Sequence, residues 1–125
     1  MFTTIRSDHA PEVTAPDGST VRQLCVLPGV ATFARFELAP SQVSHAVSHA
    51  SVQEVWYVIS GGGRMWRHQD GHEEITELEP GVCLTIPLGT RFQFRGGPDG
   101  LHVIAITAPP WPDGPDEAQR VHGPW

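Results

Sequence analysis

Two blocks of this chain contain the residues whose side chains can take part in chemistry. Each block has a regular internal spacing. The blocks are about twenty residues apart: Ser41-x5-Val47-x-His49-x4-Glu54-x6-Gly61 and Gly81-x5-Pro87-x-Gly89-x2-Phe92. A histidine and a carboxylate can bind a metal ion or transfer protons. The glycines suit tight corners where a Cβ atom would clash, and Pro87 fixes the backbone before the end of its block.

Short strands are the elements that must position these blocks. Runs of β-branched and aromatic residues recur, each closed by Gly or Pro, at residues 20–27, 30–38, 54–60, 64–68, 73–78, 82–86, 91–94 and 101–107. The Asp70-Gly71 step predicts a hairpin between two of them. Strands at this spacing predict an all-β sandwich or barrel. Residues 115–121 are the one stretch with a competing helical pattern.

Both blocks resemble the two-motif signature of the cupin superfamily, G-x5-H-x-H-x3,4-E-x6-G followed by G-x5-P-x-G-x2-H-x3-N. The register is kept, but Ser41, Val47, Phe92 and Gly96 replace the first Gly, the first His, the last His and the closing Asn. The resemblance covers residues 20–110. It implies a single all-β domain, the double-stranded β-helix or jelly-roll barrel, at residues 19–108. An arm with little structure of its own, residues 1–18, would precede it.

The resemblance also implies a metal centre, because cupins commonly hold one divalent ion such as Fe, Mn, Ni, Cu or Zn with three His and one Glu. Only His49 and Glu54 match that set, and they are the predicted catalytic residues and metal ligands. His45 and Gln93 are the further candidate ligands. On one extended strand, His45 and His49 would be roughly 13 Å apart at about 3.3 Å per residue, so they can share an ion only if the chain bends. Gln93 likewise needs a register shift to face inward.

Strand alternation predicts which side chains face the cavity that the resemblance implies. If Glu54 points inward, Trp56 and Val58 do so too, whereas Val55 faces the other way. The predicted ligand-binding set is Trp56, Met65, Phe92, Phe94 and His102. For the aromatic members and Met65, packing in the core is the alternative.

Composition restricts the partners of the chain. Eight basic against fourteen acidic residues give a net charge of −6. This argues against a nucleic-acid or anionic-membrane partner. The start of the chain lacks the apolar run of a signal peptide, and no apolar stretch would span a membrane, so we expect a cytoplasmic protein. Cys25 and Cys83 lie in apolar runs, and we expect buried, reduced thiols.

Two functions are compatible with these residues. The first is a small metal-dependent enzyme of the dioxygenase, isomerase or cyclase type that acts on a small organic molecule in the barrel cavity. The alternative is a metal-free cupin that binds a small apolar or aromatic ligand as a sensor or carrier, which Phe92 in place of a His ligand favours. The resemblance further implies a homodimer, paired through an edge strand or an exchanged arm. We expect the tail, residues 109–125, to pack on the barrel or on a partner, because it carries Trp111 and Trp125.

Overall fold

The computed structural model describes residues 1–112 and 116–125, and its regular elements are almost all strands. The nine strands are β1 (Glu12–Thr14), β2 (Thr20–Leu27), β3 (Ala31–Leu38), β4 (Val47–His49), β5 (Gln53–Gln69), β6 (His72–Leu78), β7 (Cys83–Ile86), β8 (Arg91–Ala108) and β9 (Ala118–Arg120). A 3-10 turn at Ser7–His9 is the only helical element of the described residues, and no helix there is long and apolar enough to cross a bilayer.

The long strands β5 and β8 run antiparallel and belong to both halves of the barrel. In one half they pair with each other from Gln53↔Ala108 to Gly61↔Leu101, flanked by β7 beyond β5 and by β3, β2 and β1 beyond β8. In the other half they pair from Gly63↔Gly96 to His68↔Arg91, flanked by β6 and by β4 and β9. This curled sheet is the cupin jelly roll, so the predicted fold class is confirmed.

Inward-facing apolar side chains from both halves form one core. Glu54, Trp56 and Val58 are buried, whereas Val55 between them is exposed, as alternation predicts. Register shifts between Val58 and Ser60 and between Gly61 and Gly63 change the parity of β5, which turns Met65 inward to meet Phe94. The predicted hairpin at Asp70-Gly71 joins β5 to β6.

The two ends of the chain are more ordered than the sequence indicates. The arm supplies β1, which pairs with β2, and the tail supplies β9, which pairs with β4. Strand β9 replaces the helical pattern expected at residues 115–121, of which Pro115 lies outside the described residues. Both strands form because backbone pairing on an open sheet edge outweighs the weak conformational preference of their own residues.

The two cysteines are unpaired, but neither is fully buried. Cys83 is exposed because it alternates with the inward-facing Leu84 on β7. Cys25 is half-buried next to the register shift between Gln23 and Cys25 on β2. The prediction of buried thiols is therefore wrong.

Candidate functional site

A buried pair of His49 and Glu54 lies at the centre of the candidate site. His49 ends β4, and Glu54 is the second residue of β5. Their side chains meet at 3.5 Å between Nε2 of His49 and Oε2 of Glu54. Glu54 is 4% and His49 is 7% exposed. The two residues that match the cupin-like motif therefore lie together and are buried.

Two further carboxylates complete a cluster that sequence reasoning missed. Oε2 of Glu117, just before β9, lies 3.7 Å from Nδ1 of His49. Asp17, in the turn between β1 and β2, is buried and close enough to interact electrostatically with both His49 and Glu54. Both residues lie outside the cupin-like motifs, in segments taken for an arm and a tail. The only available signal was their charge in otherwise apolar or proline-rich surroundings.

The three carboxyl groups differ in proton affinity because their surroundings differ. Burial raises the pKa of Glu54 above its ordinary value, and the hydrogen bond and charge of His49 offset this only in part. Burial likewise raises the pKa of Asp17, against hydrogen bonds from Ser19. Burial also acts to raise the pKa of Glu117, but hydrogen bonds from the hydroxyl and backbone N–H of Ser51 and from Val52 outweigh it, so that pKa is lowered. Burial thus favours the neutral form of Glu54 and Asp17, whereas hydrogen bonding favours the ionised form of Glu117.

These residues do not fit the metal centre that the motif implies. Among residues 1–112 and 116–125, no three His, Cys, Asp or Glu side chains converge closely enough to hold an ion. The reason is geometric: Glu54 faces one ring nitrogen of His49 and Glu117 faces the other, so a single ion bound to one nitrogen could share only one of these carboxylates. Val47 and Phe92 are paired in register beside His49 and fill the positions of two cupin histidines with apolar side chains.

The remaining candidate ligands lie away from the His49–Glu54 pair. His45 is exposed and packs near Gly18. Gln93 is buried on the opposite face from Phe92, where its side chain bonds the carbonyl of Ser44 and both the backbone N–H and the carbonyl of Trp125. Neither adds a donor to the pair, because His45 is exposed beside Gly18 and the amide of Gln93 bonds Ser44 and Trp125.

A pocket of about 130 Å³ lies beside the pair, between the β1–β2 turn and the inner face of β3 and β8. Thr107 and Trp111 separate this pocket from the His49–Glu54 pair. Thr107 lines the pocket and pairs in register with Glu54, whereas Trp111 lines it and packs edge-on against His49 at 4.9 Å between ring centroids. The pocket wall is apolar apart from a few polar groups, which is usual for a small-molecule site.

The predicted ligand-contacting residues do not line this pocket. Trp56, Met65, Phe92 and Phe94 are fully buried and pack in the core, where Phe94 meets the Trp56 indole edge-on. His102 lies on the outer face of β8, within 3.9 Å of Glu37. These four side chains therefore pack in the core, which was the alternative to ligand binding. A barrel this small fills its centre with large side chains.

Several buried polar atoms around the pair have no hydrogen-bond partner within the described part of the chain. They are Oε1 of Glu54, Nδ1 of His49, Nε1 of Trp56 and Oγ1 of Thr107. Buried polar atoms are normally paired, and an unpaired one reflects strain, a catalytic role or a bound water or ion. Trp56 is also close enough to interact with the carboxyl group of Glu54.

No family model matches the chain. Among solved structures, Streptomyces PAC13 with uridine has a TM-score of 0.76 at 16% identity, covering 98% of this chain and 92% of that one. Pac13 is described as a unique nucleoside dehydratase. The capsular polysaccharide assembling protein CapF of Staphylococcus aureus has a TM-score of 0.76 at 13% identity, over 90% of this chain and 35% of that one. Bacillus subtilis oxalate decarboxylase, as a variant, has a TM-score of 0.72 at 15% identity, over 86% of this chain and 30% of that one. These likenesses establish the cupin fold.

Proposed function

We propose that the protein is a small-molecule enzyme that moves protons through the buried pair of His49 and Glu54. The observation that carries the proposal is this pair, 3.5 Å apart in an apolar interior beside a pocket. Its chemistry is that of an isomerase, cyclase or dehydratase. The structural likeness to a nucleoside dehydratase supports this choice.

The carboxyl group of Glu54 is placed to relay a proton. Its Oε1 is free to accept a proton from a substrate carbon, while the proton on Oε2 passes to Nε2 of His49. The electron pair of the broken C–H bond then forms a C=C bond. In a dehydration, a C–O bond breaks and the departing hydroxyl takes the proton back from the pair to leave as water. In an isomerisation, the proton returns to another atom of the same molecule. Neither course needs an oxidant.

We infer that the substrate carries no negative charge. The chain has no lysine, and its eight cationic residues are all arginines. Five of these pair with acidic side chains at or near the surface, as Arg35 does with Glu37, and none lines the pocket. The Glu117 carboxylate beside His49 would repel a carboxylate or phosphate group of a substrate.

Metal dependence is the part of the sequence hypothesis that the donor geometry supports least. The dioxygenase type requires an ion, whereas the isomerase and cyclase types can work by proton transfer alone. The metal-free binder that acts as sensor or carrier is supported by the apolar wall of the pocket. It differs from the enzyme in needing no acid–base pair, so substitution of Glu54 separates the two.

The test is exchange of substrate C–H protons with solvent deuterium. Uncharged aldehydes, hydroxyketones and nucleosides would be incubated in D₂O and followed by NMR. We expect deuterium incorporation or water loss in at least one compound class, reduced about 10²- to 10⁴-fold by Glu54→Gln or His49→Gln. A chelator should leave the rate unchanged. The proposal fails if the variants keep full activity, or if turnover depends on an added metal ion.

We also propose that two copies of the chain pair through the outer face of the barrel. Phe33, Ile106 and Val55 form one row across β3, β8 and β5, and they are 39%, 45% and 43% exposed. Neighbouring apolar side chains on three strands form a surface that a second copy would cover. Sedimentation equilibrium should show a dimer that Ile106→Glu converts to monomer, whereas Ile75→Glu on β6 should not. A monomeric parent chain would contradict this.

We propose a reducing, cytoplasmic location for the protein. Its two thiols are free, and Cys83 is exposed. An exposed free thiol is unusual in proteins of oxidising compartments. Fractionation of cells that express the chain should place it with cytoplasmic markers, and recovery with secreted proteins would contradict this.

A further inference from the structure

We propose that Glu117 is a positioning residue that holds the His49 ring in the tautomer with hydrogen on Nδ1. The segment after residue 115 would then complete the site and not merely cover the barrel. This inference rests on the proposed function of His49 and Glu54 as an acid–base pair.

Glu117 is held firmly in front of Nδ1. Its carboxylate accepts hydrogen bonds from the Ser51 hydroxyl, at Oε1, and from the Ser51 backbone N–H, at Oε2 over 2.9 Å. Its carbonyl accepts the N–H of Ala50 over 2.8 Å. Beside it, β9 pairs with β4 so that Ala118 is opposite His49. Backbone pairing therefore fixes the two side chains relative to each other.

The chemistry of the partners selects the tautomer. A neutral imidazole has one N–H donor and one acceptor nitrogen, and an ionised carboxylate can only accept. Because Glu117 faces Nδ1 over 3.7 Å, the hydrogen belongs on Nδ1. Nε2 then carries a lone pair towards Oε2 of Glu54, which is the orientation that proton relay requires.

The other neighbours of His49 cannot hold the hydrogen on Nδ1. The rings of Phe92 and Trp111 pack against the imidazole and restrict its rotation, but they offer Nδ1 no acceptor. Asp17 interacts with His49 through its charge, and the two hydrogen bonds to its carboxylate come from Ser19, at Oδ1. Within the described residues, Glu117 is the carboxylate that faces Nδ1, at 3.7 Å.

Long-range proton–nitrogen NMR of protein with ¹⁵N-labelled histidine reads the tautomer directly. We expect the ring signals of His49, assigned with His49→Gln, to show hydrogen on Nδ1. Glu117→Leu should lower the fraction of His49 with hydrogen on Nδ1, because it removes the carboxylate that faces this nitrogen at 3.7 Å. Glu117→Gln should restore the parent tautomer, because its amide oxygen can still accept from the Ser51 N–H and from Nδ1. Glu37→Leu, which removes the carboxylate next to His102, is the matched control.

Hydrogen on Nε2 in the parent protein would overturn the proposal, even if Glu117→Leu does not fold. An unchanged tautomer in folded Glu117→Leu would also overturn it. The readout needs no substrate. If His49→Gln keeps full exchange activity while the tautomer behaves as stated, the proposed function fails and the positioning does not.

Discussion

Introducing histidines at Val47 and Phe92, where the cupin-like spacing expects them, should create a metal site next to His49. Both positions are 1% exposed, paired in register, and next to His49. The double variant Val47→His/Phe92→His would bring three imidazoles and Glu54 together. Three His and one Glu are the metal ligands that cupins commonly use.

The expected magnitudes follow from burial and mass action. Truncation of a buried Phe costs about 3–5 kcal/mol, and imidazole refills part of that volume, so the metal-free variant should lose about 2–4 kcal/mol of unfolding free energy. Zinc or nickel at about one hundred times its dissociation constant should return about 2.7 kcal/mol. At about 4 °C per kcal/mol for a domain of this size, this is a rise in Tm of about 10 °C.

Thermal unfolding of the double variant with and without the ion measures this rise in Tm. The parent chain should shift by less than about 2 °C under the same conditions, an effect of about 0.5 kcal/mol. Phe92→His alone, which disturbs the core less, provides a second variant if the double variant does not fold. An equal rise in the parent chain, abolished by His49→Ala, would refute the argument that its donors cannot share an ion.

Three other substitutions test separate parts of the account. Because burial raises the pKa of Glu54, the unfolded chain loses that proton first as pH increases. The parent protein should therefore lose unfolding free energy relative to Glu54→Gln from about pH 4 to neutrality, and a constant difference between their urea midpoints would be inconsistent with this. Trp111→Ala should uncover the buried histidine and speed its modification by diethyl pyrocarbonate, whereas Trp125→Ala should not; equal rates in both would count against Trp111 as the barrier. Gly61 and Gly71 both have positive φ, but only at Gly61 would a Cβ meet a backbone carbonyl, at 2.2 Å. Gly61→Ala should thus cost clearly more than the about 1–2 kcal/mol expected for Gly71→Ala, and equal losses would show that β5 and β8 can separate there.

The sequence predicted the fold well because its signals are local. Alternation, turn residues and the Asp70-Gly71 hairpin each act within a few residues, and the motif glycine Gly61 marks a close approach of strands at Gly100. The strands that sequence reasoning missed, β1, β4 and β9, have three residues each. Their formation depends on pairing with distant partners, which no short window reveals.

The candidate site was predicted only in part, for the same reason. His49 and Glu54 share one motif, so their spacing was informative. Glu117 reaches His49 only because β9 folds back on β4, and Asp17 only because the β1–β2 turn folds over the barrel. Phe92 and Phe94 were correctly expected to face inward, but whether such rings fill the core or line a pocket depends on the volume left between the two halves of the barrel.

The protonation state of Glu54 tests the central claim most directly. Carbon-13 NMR of glutamate-labelled protein, assigned with Glu54→Gln, would follow its carboxyl carbon as pH changes. The account predicts that this carboxyl group has a pKa above the value of about 4.3 of an ordinary glutamate, because burial disfavours its charged form. A pKa at or below that ordinary value would contradict the proposed proton relay.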